Sequence, residues 1–108
     1  MNYHTVKSET DEQIWQQIVD HAGQTFRTAR GLDFSYVIKQ NKAGDLLGEM
    51  VIDRKEKNIT RNTVLLAYEK ARVLMESEGC VSDPKKLGVS GASYLYPIFL
   101  ELGICKKE

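Results

Sequence analysis

Cationic, hydroxyl and aromatic side chains gather in the last quarter of the chain, where together they could bind a nucleic acid. Lys85 and Lys86 precede Ser93, Tyr94 and Tyr96. Lysine neutralises phosphates, serine hydrogen-bonds to them, and tyrosine rings stack on unpaired bases. Exposed tyrosines also suit a protein-binding patch. Tyr94 and Tyr96 are two positions apart, so a helix would turn at least one of them inward.

Further cations lie in the middle of the chain. Residues 27–61 carry eight cations against five anions, although the whole chain has a formal net charge of zero. Arg54, Lys55 and Arg61 of this region are predicted phosphate contacts, the first two within a charged connector over residues 53–58. A neutral total argues against indiscriminate binding of phosphates, so any contact would depend on local positioning.

The C-terminal residues must be positioned by a helical corner. Asp83 followed by Pro84 predicts the start of a short helix that ends at Leu87. Gly88 is expected to form the turn that follows. A final helix is predicted with Ser93 as its N-cap, or Ser90 in the alternative.

Residues 68–104 resemble the helix-turn-helix and winged-helix superfamily of DNA-binding domains. The resemblance implies that the start of the final helix points into a major groove. One departure is that the candidate base-reading positions include no cation or amide. The matching positions are Leu87, Gly88, Val89, Ser90, Ser93, Leu102, Gly103 and Ile104.

The N-terminal pattern predicts one helix. Thr10 and Gln13 have the spacing of a capping box, and apolar residues recur at helical spacing as far as Phe26. Gly23 weakens this helix, so a break at Gly23 is the alternative to an end at Gly31.

The remaining patterns predict an antiparallel hairpin and a long helix. Residues 34–39 and 48–53 alternate apolar and polar side chains, as half-buried strands do. Residues 61–78 carry an apolar stripe at helical spacing, with Thr60 as N-cap and Gly79 as the end. The predicted fold class is therefore α+β, in a single domain over residues 1–108.

A weaker pattern contains residues that could bind a metal ion. Asp53 and Lys55, with an earlier acid at Asp33 or Asp45, resemble the core of Mg²⁺-dependent nucleases. In that family the carboxylates hold the metal and the lysine assists the attacking water. This remains a remote alternative, because the motif is short and its surroundings are typical of a solvated loop.

Composition bounds the functional hypotheses. Two cysteines and two histidines lack the spacing of a metal site, and no apolar run predicts a signal peptide or a membrane span. We therefore expect a cytoplasmic protein of bacterial or phage type without a cofactor. The favoured hypothesis is a small non-enzymatic nucleic-acid-binding or regulatory protein. The alternative is a module that binds another protein.

Overall fold

The part of the chain that the structure describes folds as three α-helices and two small antiparallel sheets, which confirms the α+β prediction. The computed structural model describes residues 10–54 and 57–108. The elements in chain order are α1 (Asp11–Asp20), β1 (Phe26–Arg27), β2 (Asp33–Phe34), β3 (Tyr36–Gln40), β4 (Leu46–Ile52), β5 (Asn58–Thr60), α2 (Arg61–Glu78), a 3-10 helix (Pro84–Leu87) and α3 (Ala92–Glu101).

Helix α1 begins as predicted and ends earlier. The Thr10 hydroxyl accepts from the Gln13 amide, and the Gln13 side chain accepts from the Thr10 amide, so the capping box is confirmed. The expected continuation to Gly31 is wrong, since α1 stops at Asp20. Gly23 has a φ of +91° and its amide donates to the Tyr36 carbonyl oxygen, which turns the chain away from the helix axis and towards β3.

The hairpin is confirmed and has a third strand. Strands β3 and β4 pair in antiparallel fashion, with Tyr36 opposite Ile52. Strand β5 pairs with the other edge of β4, placing Ile59 opposite Met50. The prediction of a plain connector over residues 53–58 is therefore wrong at Asn58, where β5 begins. The inward side chains of this sheet are buried, and Val37 on its outer face is 58% exposed.

Helix α2 has the predicted limits, residues 61 and 78. Its N-cap is Thr60, whose hydroxyl accepts from the Thr63 amide at 3.2 Å. Gly79 ends it in the left-handed conformation, and the Gly79 amide bonds back to the last turn. Val64, Ala67 and Ala71 form its buried stripe. Local sequence determines both ends here.

The C-terminal corner departs from a helix-turn-helix in two respects. Its first helix is one 3-10 turn, followed by Gly88 in the left-handed conformation. Helix α3 begins at Ala92 with Gly91 as its N-cap, so the prediction of Ser93 or Ser90 as the cap is wrong. Five consecutive residues of α3, 95–99, are buried. Because they point in all directions around the axis, α3 is a core helix and not a helix laid on the surface.

Candidate functional site

A cleft of about 500 Å³ brings together three of the predicted binding residues: Lys85, Ser93 and Tyr94. It lies between the loop that joins β1 to β2, the start of the 3-10 helix and the start of α3. We call it the Tyr94 cleft. Its lining residues are Thr28, Ala29, Arg30, Leu32, Asp83, Pro84, Lys85, Ser93 and Tyr94.

One wall is the β1–β2 loop, at residues that were predicted to belong to the end of α1. Two hydrogen bonds between Thr28 and Leu32 close this loop. The Thr28 amide donates to the Leu32 carbonyl oxygen, and the Thr28 hydroxyl accepts from the Leu32 amide. Gly31, with a φ of +85°, donates to the Thr28 carbonyl oxygen at 2.9 Å. These bonds present Arg30 and Leu32 at the cleft.

The second wall is the first turn of the 3-10 helix. The Asp83 carboxylate accepts from the Lys85 amide at 2.8 Å, which caps the turn. Pro84 supplies an apolar surface beside it. The Lys85 side chain is exposed, because the turn buries only Leu87.

The third wall is the start of α3, which supplies Ser93 and Tyr94. Ser93 is exposed and Tyr94 is half-buried. The Tyr94 ring packs edge-to-face against Phe34 of β2, with ring centroids 5.1 Å apart and an interplanar angle of 70°. This contact fixes the orientation of the ring at the cleft wall.

The Tyr94 cleft carries two cations that no other described residue neutralises. The ion pairs of the described residues leave both Arg30 and Lys85 without a carboxylate partner. Among the described residues of the lining, Asp83 is the one carboxylate, and it is held by its backbone bond to Lys85. Two available cations beside an aromatic ring suit an anionic ligand that also has a planar group.

Two more cations approach the corner from the turn between β4 and β5. Arg54 donates to the Asp33 carbonyl oxygen at 3.2 Å, next to Leu32 of the loop. Lys57 donates to the Ser90 hydroxyl at 2.7 Å, shortly before α3 begins. Arg54 was predicted as a phosphate contact, and the structure places it beside the cleft without making it part of the lining.

Two other predicted cations, Lys86 and Arg61, are not in the lining of the cleft. Lys86 forms an ion pair with Glu78 at 3.7 Å. Arg61 lies at the start of α2, beside Gly48 of β4. Lys55 lies outside the described residues.

Tyr96 is one of the predicted binding residues and would have to be exposed in that role, but it is buried. Its side chain is 3% exposed and its hydroxyl donates to the Val81 carbonyl oxygen. Burial raises the pKa of its phenol above the ordinary value. Tyr94 and Tyr96 are two residues apart in α3, so when Tyr94 faces the cleft Tyr96 must face the core.

A second cleft, of about 550 Å³, lies between Phe26 and Arg27 of β1 and the later part of α3. Its cation Arg27 forms an ion pair with Asp33 at 3.0 Å, and Glu101 adds a further carboxylate. None of the predicted binding residues with a described position lines it. The second cleft is therefore a less favourable site for an anion than the Tyr94 cleft.

The carboxylates of the nuclease hypothesis have other partners. Asp53 accepts from the Ser35 amide, Asp33 pairs with Arg27, and Asp45 lies near the Asn41 side chain. Among residues 10–54 and 57–108, no three His, Cys, Asp or Glu side chains are grouped to hold a metal ion. The thiol of Cys105 is buried, which raises its pKa to about 11 and disfavours a reactive thiolate.

Comparisons with protein-family models, with curated proteins and with solved structures found no match for this chain. Within the described parts of the chain, no helix has the length and apolar character needed to cross a membrane. The chemistry of the Tyr94 cleft is therefore the basis for inferring a function.

Proposed function

We propose that this protein binds nucleic acid through the Tyr94 cleft. The observation that carries the proposal is the meeting of Arg30 and Lys85, neither paired with a described carboxylate, with Ser93 and Tyr94. Cations contact phosphates, the hydroxyl adds a hydrogen bond, and the aromatic ring offers a surface to a base. Arg54 and Lys57 extend the cationic region along the β4–β5 turn.

The binding mode differs from that of a recognition helix. A helix enters the major groove with one face free, and the protein reads bases from that face. Residues 95–99 of α3 are buried all round, and the β1–β2 loop stands over its first turn. Only Ser93 and Tyr94 of this turn are therefore offered to a ligand.

The electrostatic part of the proposal can be tested with a labelled 12-nucleotide single strand by fluorescence anisotropy. If Arg30 and Lys85 neutralise about two phosphates, raising salt from about 50 to about 200 mM should weaken binding about sevenfold. Arg30→Ala and Lys85→Ala should each weaken binding and make it less sensitive to salt. Both side chains are exposed, so the fold should be kept.

Lys70→Ala is the matched control, since Lys70 is an exposed lysine on α2 outside the cleft. It should leave affinity within about twofold. The proposal fails if no strand binds at low salt, or if Lys70→Ala lowers affinity as much as Lys85→Ala does.

A second function, binding of another protein, is favoured by one surface of α2. Leu66 is 64% exposed and Val73 is 44% exposed. They are seven residues apart and so lie on one face of the helix. Affinity capture with the wild-type chain and with Leu66→Ser should then retain a defined protein only for the wild type, without nucleic acid in the eluate. Equal capture by both proteins would remove this surface from consideration.

A further inference from the structure

We infer that the Tyr94 cleft receives one unpaired base of a single strand and that Asp83 selects bases carrying an amino group. This inference rests on the proposed function and adds the class of ligand. It also gives a role to the Asp83 carboxylate in the lining.

The preference for a single strand follows from the shape of the site. A volume of about 500 Å³ lies in the range of clefts that hold small-molecule ligands, so the cleft has room for a single base but not for a base pair within a stacked duplex. A base within a duplex is stacked and paired, and it reaches such a pocket only after being flipped out at a cost in free energy. A single strand avoids most of that cost.

The walls of the cleft suit a base with a phosphate on either side. Leu32, Pro84 and Tyr94 supply apolar surface from three different elements. Leu32 is 46% exposed although its backbone is fixed by two hydrogen bonds to Thr28, so the loop displays this side chain to solvent. A base lying against Tyr94 and Leu32 would cover both, with Arg30 and Lys85 placed for its phosphates.

Asp83 gives the cleft a means of selection. One oxygen of its carboxylate accepts from the Lys85 amide at 2.8 Å. A carboxylate has further acceptor capacity and no donor. The amino groups of cytosine, adenine and guanine are donors, whereas thymine and uracil have no amino group and present a carbonyl oxygen where cytosine has its amino group. Asp83 should therefore favour the three amino bases over thymine and uracil.

The test compares 12-nucleotide oligomers of deoxycytidine and deoxythymidine, their RNA counterparts, and a duplex of mixed sequence, by fluorescence anisotropy with the full chain. We expect the cytosine strands to bind about 3- to 10-fold more tightly than the thymine or uracil strands. The duplex should bind at least about tenfold more weakly than the cytosine strand. The DNA and RNA arms distinguish the two sources of the same base chemistry.

Three sets of variants locate the effect. Asp83→Asn keeps the oxygen that caps Lys85 and replaces the other oxygen with an amino donor, so the preference for cytosine should disappear or reverse. Leu32→Ser should weaken binding of the cytosine strand about 3- to 10-fold, whereas Leu46→Ser, at a leucine of β4 with nearly the same exposure and outside the cleft, should not. Tyr94→Ala should weaken it about 5- to 100-fold, and Tyr94→Phe should retain most of the affinity.

The possible failures are distinguishable. No binding of any oligomer would overturn the proposed function and this inference together. A second outcome is salt-sensitive binding that depends on Arg30 and Lys85, with the duplex bound as tightly as the single strands. That result would support the proposed function and contradict the binding of an unpaired base. A cytosine preference unchanged in Asp83→Asn would overturn the role of Asp83.

Discussion

Gly91→Ala should lower the free energy of unfolding by about 2–5 kcal/mol, measured by urea denaturation. Gly91 has a φ of +85°, and a residue with a Cβ costs about 1–2 kcal/mol in that conformation. The new Cβ would also lie 2.7 Å from Cδ1 and 2.9 Å from Cγ1 of Ile59. Ile59 is 2% exposed in the core and has little room to retreat, so overpacking adds about 1–3 kcal/mol.

Two variants separate these causes. Gly88→Ala is the control for backbone conformation, because Gly88 has a φ of +69° and a methyl group there would meet no atom within 4 Å beyond its chain neighbours. It should cost only about 1–2 kcal/mol. Ile59→Val removes Cδ1, so in the Gly91→Ala background it should cost less than it does alone. Equal losses for Gly91→Ala and Gly88→Ala would contradict the clash.

Tyr36→Phe should destabilise the fold by about 1–3 kcal/mol at pH 7 and by less as the solution becomes alkaline. Tyr36 is 1% exposed, and its hydroxyl donates to the Ile18 carbonyl oxygen, joining β3 to α1. The variant leaves that carbonyl without this donor. Burial, with a smaller contribution from Asp20, raises the pKa of the Tyr36 phenol well above its ordinary value of 10.0.

The direction of the pH effect follows from proton binding. Below about pH 10 both the folded and the unfolded chain keep the phenol proton, so the contribution of Tyr36 is complete. Above that pH the unfolded chain releases the proton while the folded chain retains it. Stability therefore falls by about 1.4 kcal/mol per pH unit for this residue, until the pH passes the folded pKa. Urea unfolding from about pH 7 to about pH 11 should show a shallower decline for Tyr36→Phe, and parallel curves would contradict a raised pKa in the folded chain.

The parts of the fold that depend on local sequence could be predicted. Helix α2 has a threonine cap at its start, a glycine at its end and a long apolar stripe between them, so the sequence predicts both of its limits. The end of α1 depends instead on a distant contact, since the Gly23 amide bonds to Tyr36 of β3. Apolar spacing continues past that point to Phe26, so the pattern alone could not show where the helix stops.

Short elements held by tertiary contacts could not be predicted from the pattern. Strand β5 has three residues, too few to show an alternation, and it exists because Ile59 pairs with Met50 of β4. The same Ile59 occupies the space where a Cβ at Gly91 would lie, which is why a glycine precedes α3. The serine preference at helix starts is only a statistical guide and was overridden here.

Only the part of the candidate site that the C-terminal residues form could be predicted from the sequence. Lys85, Ser93 and Tyr94 stand close together in sequence, so their meeting in one corner followed from local structure. Arg30 and Leu32 come from more than fifty residues earlier, and their arrival depends on the β1–β2 pairing. The available signal was a polar run containing Gly31 between Phe26 and Phe34, which is typical of a turn between two short strands.

The β1–β2 loop has a consequence for how this molecule can change over evolutionary time. Hydrogen bonds between Thr28 and Leu32 close this loop, and the buried side chains of Phe26 and Phe34 lie in the strands on either side of it. The side chains of residues 29 and 30 project into solvent and support nothing in the interior. Descendants can therefore exchange these positions while the architecture beneath is inherited intact.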